Sequence, residues 1–163
     1  MTYFTLLLSE ITDQDAVGGK ARGLAALIAA GFPVPEGFVV SPEATPEEII
    51  AAYRRVGTPR VAVRSSAAEE DSSRLSYAGQ FETFLHISGE ESLLHAVETC
   101  RAAASTTRGA IYCEYPDPTA SRMCVIVQRM IEPEYAGVAF ADANGETVVE
   151  GVAGLGDRLV SGR

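Results

Sequence analysis

From Arg60 to Leu85 the chain reads RVAVRSSAAEEDSSRLSYAGQFETFL, and this stretch limits the fold more than any other. Val61 to Val63 is a short β-branched strand, and it delivers Arg64, Ser65 and Ser66 at its end. A polar, acidic segment follows with Glu69, Glu70, Asp71, Ser72 and Ser73, then the small-residue run Ser76 to Gln80. Alternating residues from Phe81 predict a second strand reaching Ile87. A strand that ends in a guanidinium and two hydroxyls presents a fork of donors suited to phosphate oxygens. An ordinary strand exit with a surface salt bridge uses the same residue types, so these residues alone leave both readings open.

On the N-terminal side, Phe4 to Leu8 reads as a short buried strand, with a helix start as the alternative. Thr12 to Asp15 is a turn. Lys20 to Ala30 is Ala- and Leu-rich and predicts a helix with Leu24, Leu27 and Ile28 on one face. Gly31 is placed to cap its end, Pro33 and Pro35 prevent continuation, and Gly37 to Val40 is the next strand. Gly18, Gly19 and Lys20 fall at the helix N-terminus, where glycine allows close backbone approach and free amides favour an anion. A lysine at the positive end of a helix is mildly unfavourable by itself, which argues for a ligand phosphate; a solvated lysine is the plain alternative. The stretch is not a Walker A loop, because Gln14 and Ala21 stand where glycine and Ser or Thr are needed.

Thr45, Pro46 and Glu48 open a capped helix running to Val56, and Gly57-Thr58-Pro59 turns into the Val61 strand. Glu90 to Ser105 predicts a helix with Leu93, Leu94, Val97, Cys100 and Ala104 inward. Tyr115-Pro116-Asp117-Pro118 is a turn and a candidate boundary. Met123 to Met130 is a continuous apolar run of the kind found in central strands. Tyr135 to Phe140 and Thr147 to Val152 are two more strands, joined through Asp142 to Gly145. Gly154-Leu155-Gly156-Asp157 is a loop.

A chain of 163 residues predicts one structural domain with a sizeable core. Its net charge of −9 lacks the field that holds a phosphodiester backbone, so nucleic acid is not an expected partner. A local cluster of Lys and Arg with bound Mg²⁺ can still dominate one cleft and accept ATP. Three cysteines, Cys100, Cys113 and Cys124, stand far apart and predict free thiols in a reducing cytoplasm. No apolar stretch is long enough for a membrane span, and the opening residues do not read as a signal. Neither His86 nor His95 has a matched partner, so neither is read as catalytic, and no metal ligands are assigned.

The segment VAVRSSAAEEDSSRLSYAGQFETFL closely resembles the phosphate-binding segment of pyruvate phosphate dikinases and phosphoenolpyruvate synthases, a domain that rifamycin phosphotransferases share. The family pattern is roughly VRSSATAEDxxxxSFAGQxxTxLxV, and order and spacing agree from Val63 to Leu85. VGGKARGLAALIAAGFPVPEGFVVS is similar to the family opening GGKxANLxxLxxAGFPVPxGFVVT. MCVIVQRM resembles its VVVQxMV hinge strand, Tyr135 to Phe140 its SGVxFTxDPxTG segment, and Glu150 with Gly154 to Asp157 its IxAxxGLGExVVxG segment.

The resemblance implies an ATP-grasp-like α+β domain in two lobes, a mixed sheet with flanking helices over residues 1–115 and a β-rich lobe with the hinge strand over 116–163. It implies an ATP-binding domain of a dikinase-type phosphotransferase, in which Lys20 and Arg64 are the catalytic cations on the phosphates. Gly19, Ser65, Ser76, Ala78, Gly79 and Gln80 would line the phosphates; Gln128, Arg129 and Met130 would meet the adenine; Glu150, Gly154 and Gly156 would complete the site. The segment Ala67 to Gln80 is expected to order on phosphate. Three departures matter. The family carries several tens more residues between the GFVVT and VRSS strands, Ala141 replaces a hydroxyl that orients phosphate, and the acidic Mg²⁺ ligands of the QDxEWA type are not found, so they are expected outside this chain. The phosphohistidine and acceptor domains are expected elsewhere too, in further domains or a separate chain. The rival expectation is a remnant that binds nucleotide or a protein partner without chemistry.

Overall fold

The computed structural model describes residues 4–13, 15–66, 83–105, 123–142, 144–156 and 159, and it separates into two units, Met1–Met130 and Ile131–Arg163. In the first unit, β1 (Thr5–Leu7), β2 (Gly37–Val40), β3 (Val61–Ser66), β4 (Thr83–Ile87) and β5 (Cys124–Arg129) form one sheet in the order β1-β2-β5-β3-β4. Among the described residues three α-helices join or flank them: α1 (Gly19–Ala29), α2 (Pro46–Val56) and α3 (Glu90–Ser105). The α+β class holds among the described residues, but the mixed sheet expected from the sequence does not. Every neighbouring pair is antiparallel. The reason lies in the connections: α2 joins β2 to β3, two strands of like direction, yet β5 fills the slot between them. In the same way β3 lies between β4 and β5, the strands that α3 separates in sequence.

Strand β5 was expected in the β-rich second lobe; it is instead the central strand of the first unit, and the two units divide at Met130/Ile131. Its side chains explain the placement, because Cys124 to Gln128 are all buried. Val125 and Val127 enter the core under α2 and α3 with Phe38, Val40, Ile49, Val61, Val63, Leu93 and Val97. Cys124 and Ile126 enter the opposite core under α1 with Leu8, Val17, Ala21 and Val39. A strand apolar on both faces is buried only with layers on each side, so it sits in the middle. The turn expected at Tyr115 to Pro118 lies outside the described residues.

Local chemistry sets the helix ends. Thr45 and Glu48 form a reciprocal capping box, the Thr45 amide donating to the Glu48 carboxylate at 2.8 Å and the Glu48 amide to the Thr45 hydroxyl at 3.4 Å. Replacing Thr45 with Ala is expected to cost about 1 kcal/mol, read as a shift of the urea midpoint with unchanged slope. A change below a few tenths would mean the cap contributes nothing to the folded chain. Helix α1 ends in a Schellman motif: Gly31 adopts φ +83°, its amide donates to the Ile28 carbonyl at 2.9 Å, and the Phe32 amide donates to that of Leu27 at 3.0 Å. The predicted inner face of α1 needs one correction. Ala21, Leu24 and Ile28 face the core, while Leu27 is exposed. Ala21 is fully buried, and Leu27 lies outside the stripe drawn by the i, i+3, i+7 spacing from it.

The described residues of the second unit form a hairpin, β6 (Tyr135–Ala141) with β7 (Thr147–Ala153), paired from Tyr135↔Ala153 to Ala141↔Thr147. The Asp142 carboxylate organises its turn, accepting the amides of Asn144 and Glu146 at 2.9 Å each. These bonds, the Glu146 amide first, hold its carboxyl below the usual carboxylate range.

Candidate functional site

Of the site residues expected from the sequence in the first unit, simple alternation puts Arg64 and Gln128 on the α1 face of the sheet. Val61 and Val63 point under α2 and α3, so Ala62, Arg64 and Ser66 point to the α1 side. Directly opposed residues share a face, so Arg64 keeps company with Ile126, and Ala62 with Gln128. Gln128 and Arg64 are therefore two residues apart in register, about 7 Å along the sheet.

Helix α1 crosses this face with its N-terminus at the end of β3. The Lys20 ammonium lies 3.5 Å from the Ser65 carbonyl oxygen, next in the chain to Arg64. The Ala21 amide donates to the Ser66 hydroxyl at 3.4 Å. The preceding loop is tied down on three sides. The Asp15 carboxylate accepts the Thr12 hydroxyl and amide at 2.7 Å each, bonds that hold its carboxyl below the usual range. Arg22 donates to the Asp15 carbonyl at 3.2 Å, and the Cys124 thiol to that of Ala16 at 3.5 Å. The helix start is thus presented on a fixed loop, the condition for preorganised anion recognition.

Ser65 and Ser66 divide differently from the expectation, which selected Ser65. The Ser65 side chain is buried on the far face, and among the described residues its hydroxyl has no hydrogen-bond partner. Only its carbonyl faces Lys20. Ser66 is the hydroxyl on the α1 face. Parity was the signal that could have found it, since Ser66 stands two residues from Arg64 and an odd number from the buried Val61 and Val63.

The residues expected at the adenine are engaged within the first unit. The Gln128 amide nitrogen donates to the Pro35 carbonyl at 2.9 Å. The Arg129 amide donates to the Glu36 carbonyl at 2.8 Å, and its guanidinium pairs with the Glu36 carboxylate at 2.8 Å. The Met130 amide donates to the Arg60 carbonyl at 3.0 Å. The backbone donors at Arg129 and Met130 are thus used within the first unit.

Gly19 is the first helical residue of α1. Glu150 lies exposed on β7, and Gly154 follows it with φ +79° and its amide donating to the Glu134 carbonyl at 2.8 Å. Gly156 lies close to the Ala136 side chain. These last three belong to the second unit. Ser76, Ala78, Gly79, Gln80 and the whole expected phosphate-ordering segment lie outside the described residues. Among the described residues no group of three or more His, Cys, Asp or Glu side chains is arranged to hold a metal, and no helix is long and apolar enough to cross a membrane.

Comparison with known proteins adds the context. Residues 41–163 match the family model described as "Pyruvate phosphate dikinase, AMP/ATP-binding domain". The chain is 35% identical to the phosphoenolpyruvate synthase of Aeropyrum pernix, over 90% of this chain and 26% of that one. It is 31% identical to the prodigiosin synthesizing transferase PigC of Serratia marcescens, over 90% and 21%. It is 39% identical to the rifampicin phosphotransferase of Bacillus cereus, over 62% and 12%. The chain thus spans about a quarter or less of these relatives' length. The alignment to the Aeropyrum pernix protein runs over 209 residues, more than the 163 of this chain, so that relative carries residues with no counterpart here.

Proposed function

This chain belongs to the AMP/ATP-binding domain family of pyruvate phosphate dikinase, an ATP-binding domain of a dikinase-type enzyme, and from that premise we propose how its residues take the nucleotide and what the whole protein does. Lys20 and Arg64 neutralise the phosphates, the Gly19 amide at the start of α1 adds a neutral donor, and the strand end at Gln128 to Met130 receives the adenine. The observation that carries this reading is the proximity of the Lys20 ammonium to the strand end bearing Arg64, on the face that also holds Gln128. The register distance of about 7 Å between Arg64 and Gln128 suits a nucleotide lying along the sheet.

In this reading Glu150, Gly154 and Gly156 of the hairpin, and Ser76, Ala78, Gly79 and Gln80, also belong to the nucleotide-binding residues of an ATP-grasp-like domain. Mg²⁺, with its ligands expected outside this chain, would spread the charge of the phosphates when bound. The chain's own cations hold and align those phosphates, which is most of what phosphoryl transfer asks of a protein. The acceptor and the phosphohistidine that would relay the phosphoryl group are supplied by further domains or a partner chain, and the protein works in the cytoplasm. A second reading, nucleotide binding without transfer, draws its support from Ala141, which has no hydroxyl to offer phosphate.

Isothermal titration of the 163-residue protein with Mg·ATP and, separately, with phosphoenolpyruvate tests the assignment. Saturable heat with the nucleotide and none with phosphoenolpyruvate is the expected result. Binding of phosphoenolpyruvate with no response to Mg·ATP or AMP would overturn it.

A further inference from the structure

Helix α1 opens without a side-chain cap of its own, because its N-cap is Gly18. The backbone there does not require glycine, since φ is −68°. Space requires it: a Cβ at Gly18 would fall on the carbonyl oxygen and the hydroxyl of Ser66. That hydroxyl, on a fully buried residue 45 positions along the chain, accepts the Ala21 amide, the third of the helix. An N-cap side chain normally serves this amide. Ser66 therefore fills both the volume and the hydrogen-bonding role of the absent cap, from another element. One residue before Ala21, Lys20 reaches the carbonyl of Ser65, one residue before Ser66. The first turn of α1 and the end of β3 are stitched together at consecutive residues on both sides.

We propose that Ser66 is a positioning residue of the nucleotide site: by capping α1 from β3 it sets the spacing between Lys20 on the helix and Arg64 on the strand. This rests on the phosphate-binding reading of those two cations. A lysine on a frayed first turn spreads over many positions; one on a capped turn is held near the strand that carries its partner. Glycine at position 18 is then part of the same device, because any side chain would displace the serine that caps the helix.

The test uses the 163-residue protein and three variants, Ser66→Ala, Lys20→Met and the double substitution, with Ser66→Cys as a second replacement that keeps the volume and weakens the acceptor. Backbone amide exchange without nucleotide is expected to accelerate at Ala21 about 2- to 12-fold in Ser66→Ala and Ser66→Cys, the worth of one hydrogen bond. Mg·ATP affinity is expected to fall about 2- to 30-fold in Ser66→Ala, the range for a lost cap, but less than twofold when Lys20 is already Met. Unchanged Ala21 exchange overturns the cap. An equal loss of affinity with and without Lys20 overturns the positioning role while leaving the nucleotide reading in place. No Mg·ATP binding by the unsubstituted protein would remove the nucleotide reading itself, and the positioning role with it.

Discussion

Lys20→Met and Arg64→Met are each expected to weaken Mg·ATP binding about 10- to 150-fold, with little change in thermal stability. The magnitude follows from removing one charge-assisted contact to phosphate, worth roughly 1.5–3 kcal/mol. Stability should hold because both side chains are only partly buried, and neither belongs to an apolar core. Arg64→Lys is expected to recover part of the loss, since a point charge replaces the guanidinium but its planar fork is gone. If the two cations act on one set of phosphates, the losses in the double variant will not simply add. Titration calorimetry with Mg·ATP reads all four variants. Affinities within twofold of the unsubstituted protein in both single variants would mean that the cations belong to no phosphate site.

Phe38→Ala is expected to give the largest loss of stability, about 3–5 kcal/mol, which is a substantial part of what a domain of this size possesses. Phe38 is fully buried on β2, and its ring lies in the core shared by β2, β3, β5, α2 and α3. Strand β2 is paired on both sides, and close packing leaves the neighbouring side chains little room to refill the space. Equilibrium denaturation should show a lower midpoint, and nucleotide affinity measured well below that midpoint should fall by no more than a few fold. A destabilisation under 1 kcal/mol would mean that the core around Phe38 repacks, contrary to its place between two layers.

Signals with short range were legible in the sequence. The Thr45–Glu48 cap, the glycine after α1 and the runs that became β2, β3, β5, β6 and β7 all follow from contacts within a few residues. The sheet order was not legible, because nothing in MCVIVQRM states which two strands will flank it. The bulge in β4 was also missed. His86 takes φ +57° where the register shifts between Val61 and Val63, and no glycine or asparagine marked the spot. The exposure of Leu27 was missed for a related reason. Its spacing suits an inward face as well as Ala21 does, and only the docking of the helix chooses between them.

What the sequence determined by itself was membership of a nucleotide-binding family, the α+β class, and the identity of the two cations proposed for the phosphates. Those rest on residue types in a fixed order, and order survives without coordinates. The tertiary structure decided which face each residue occupies. Alternation alone says that Ser65 and Ser66 point to opposite sides of β3, but not which side carries α1. Packing settled it, because Val61 and Val63 had to be buried against α2 and α3, and that left Arg64 and Ser66 beneath the helix whose N-terminus bears Lys20. The same packing leaves Gly18 with no room for a side chain, a property that belongs to the contact between two elements and to neither of them alone.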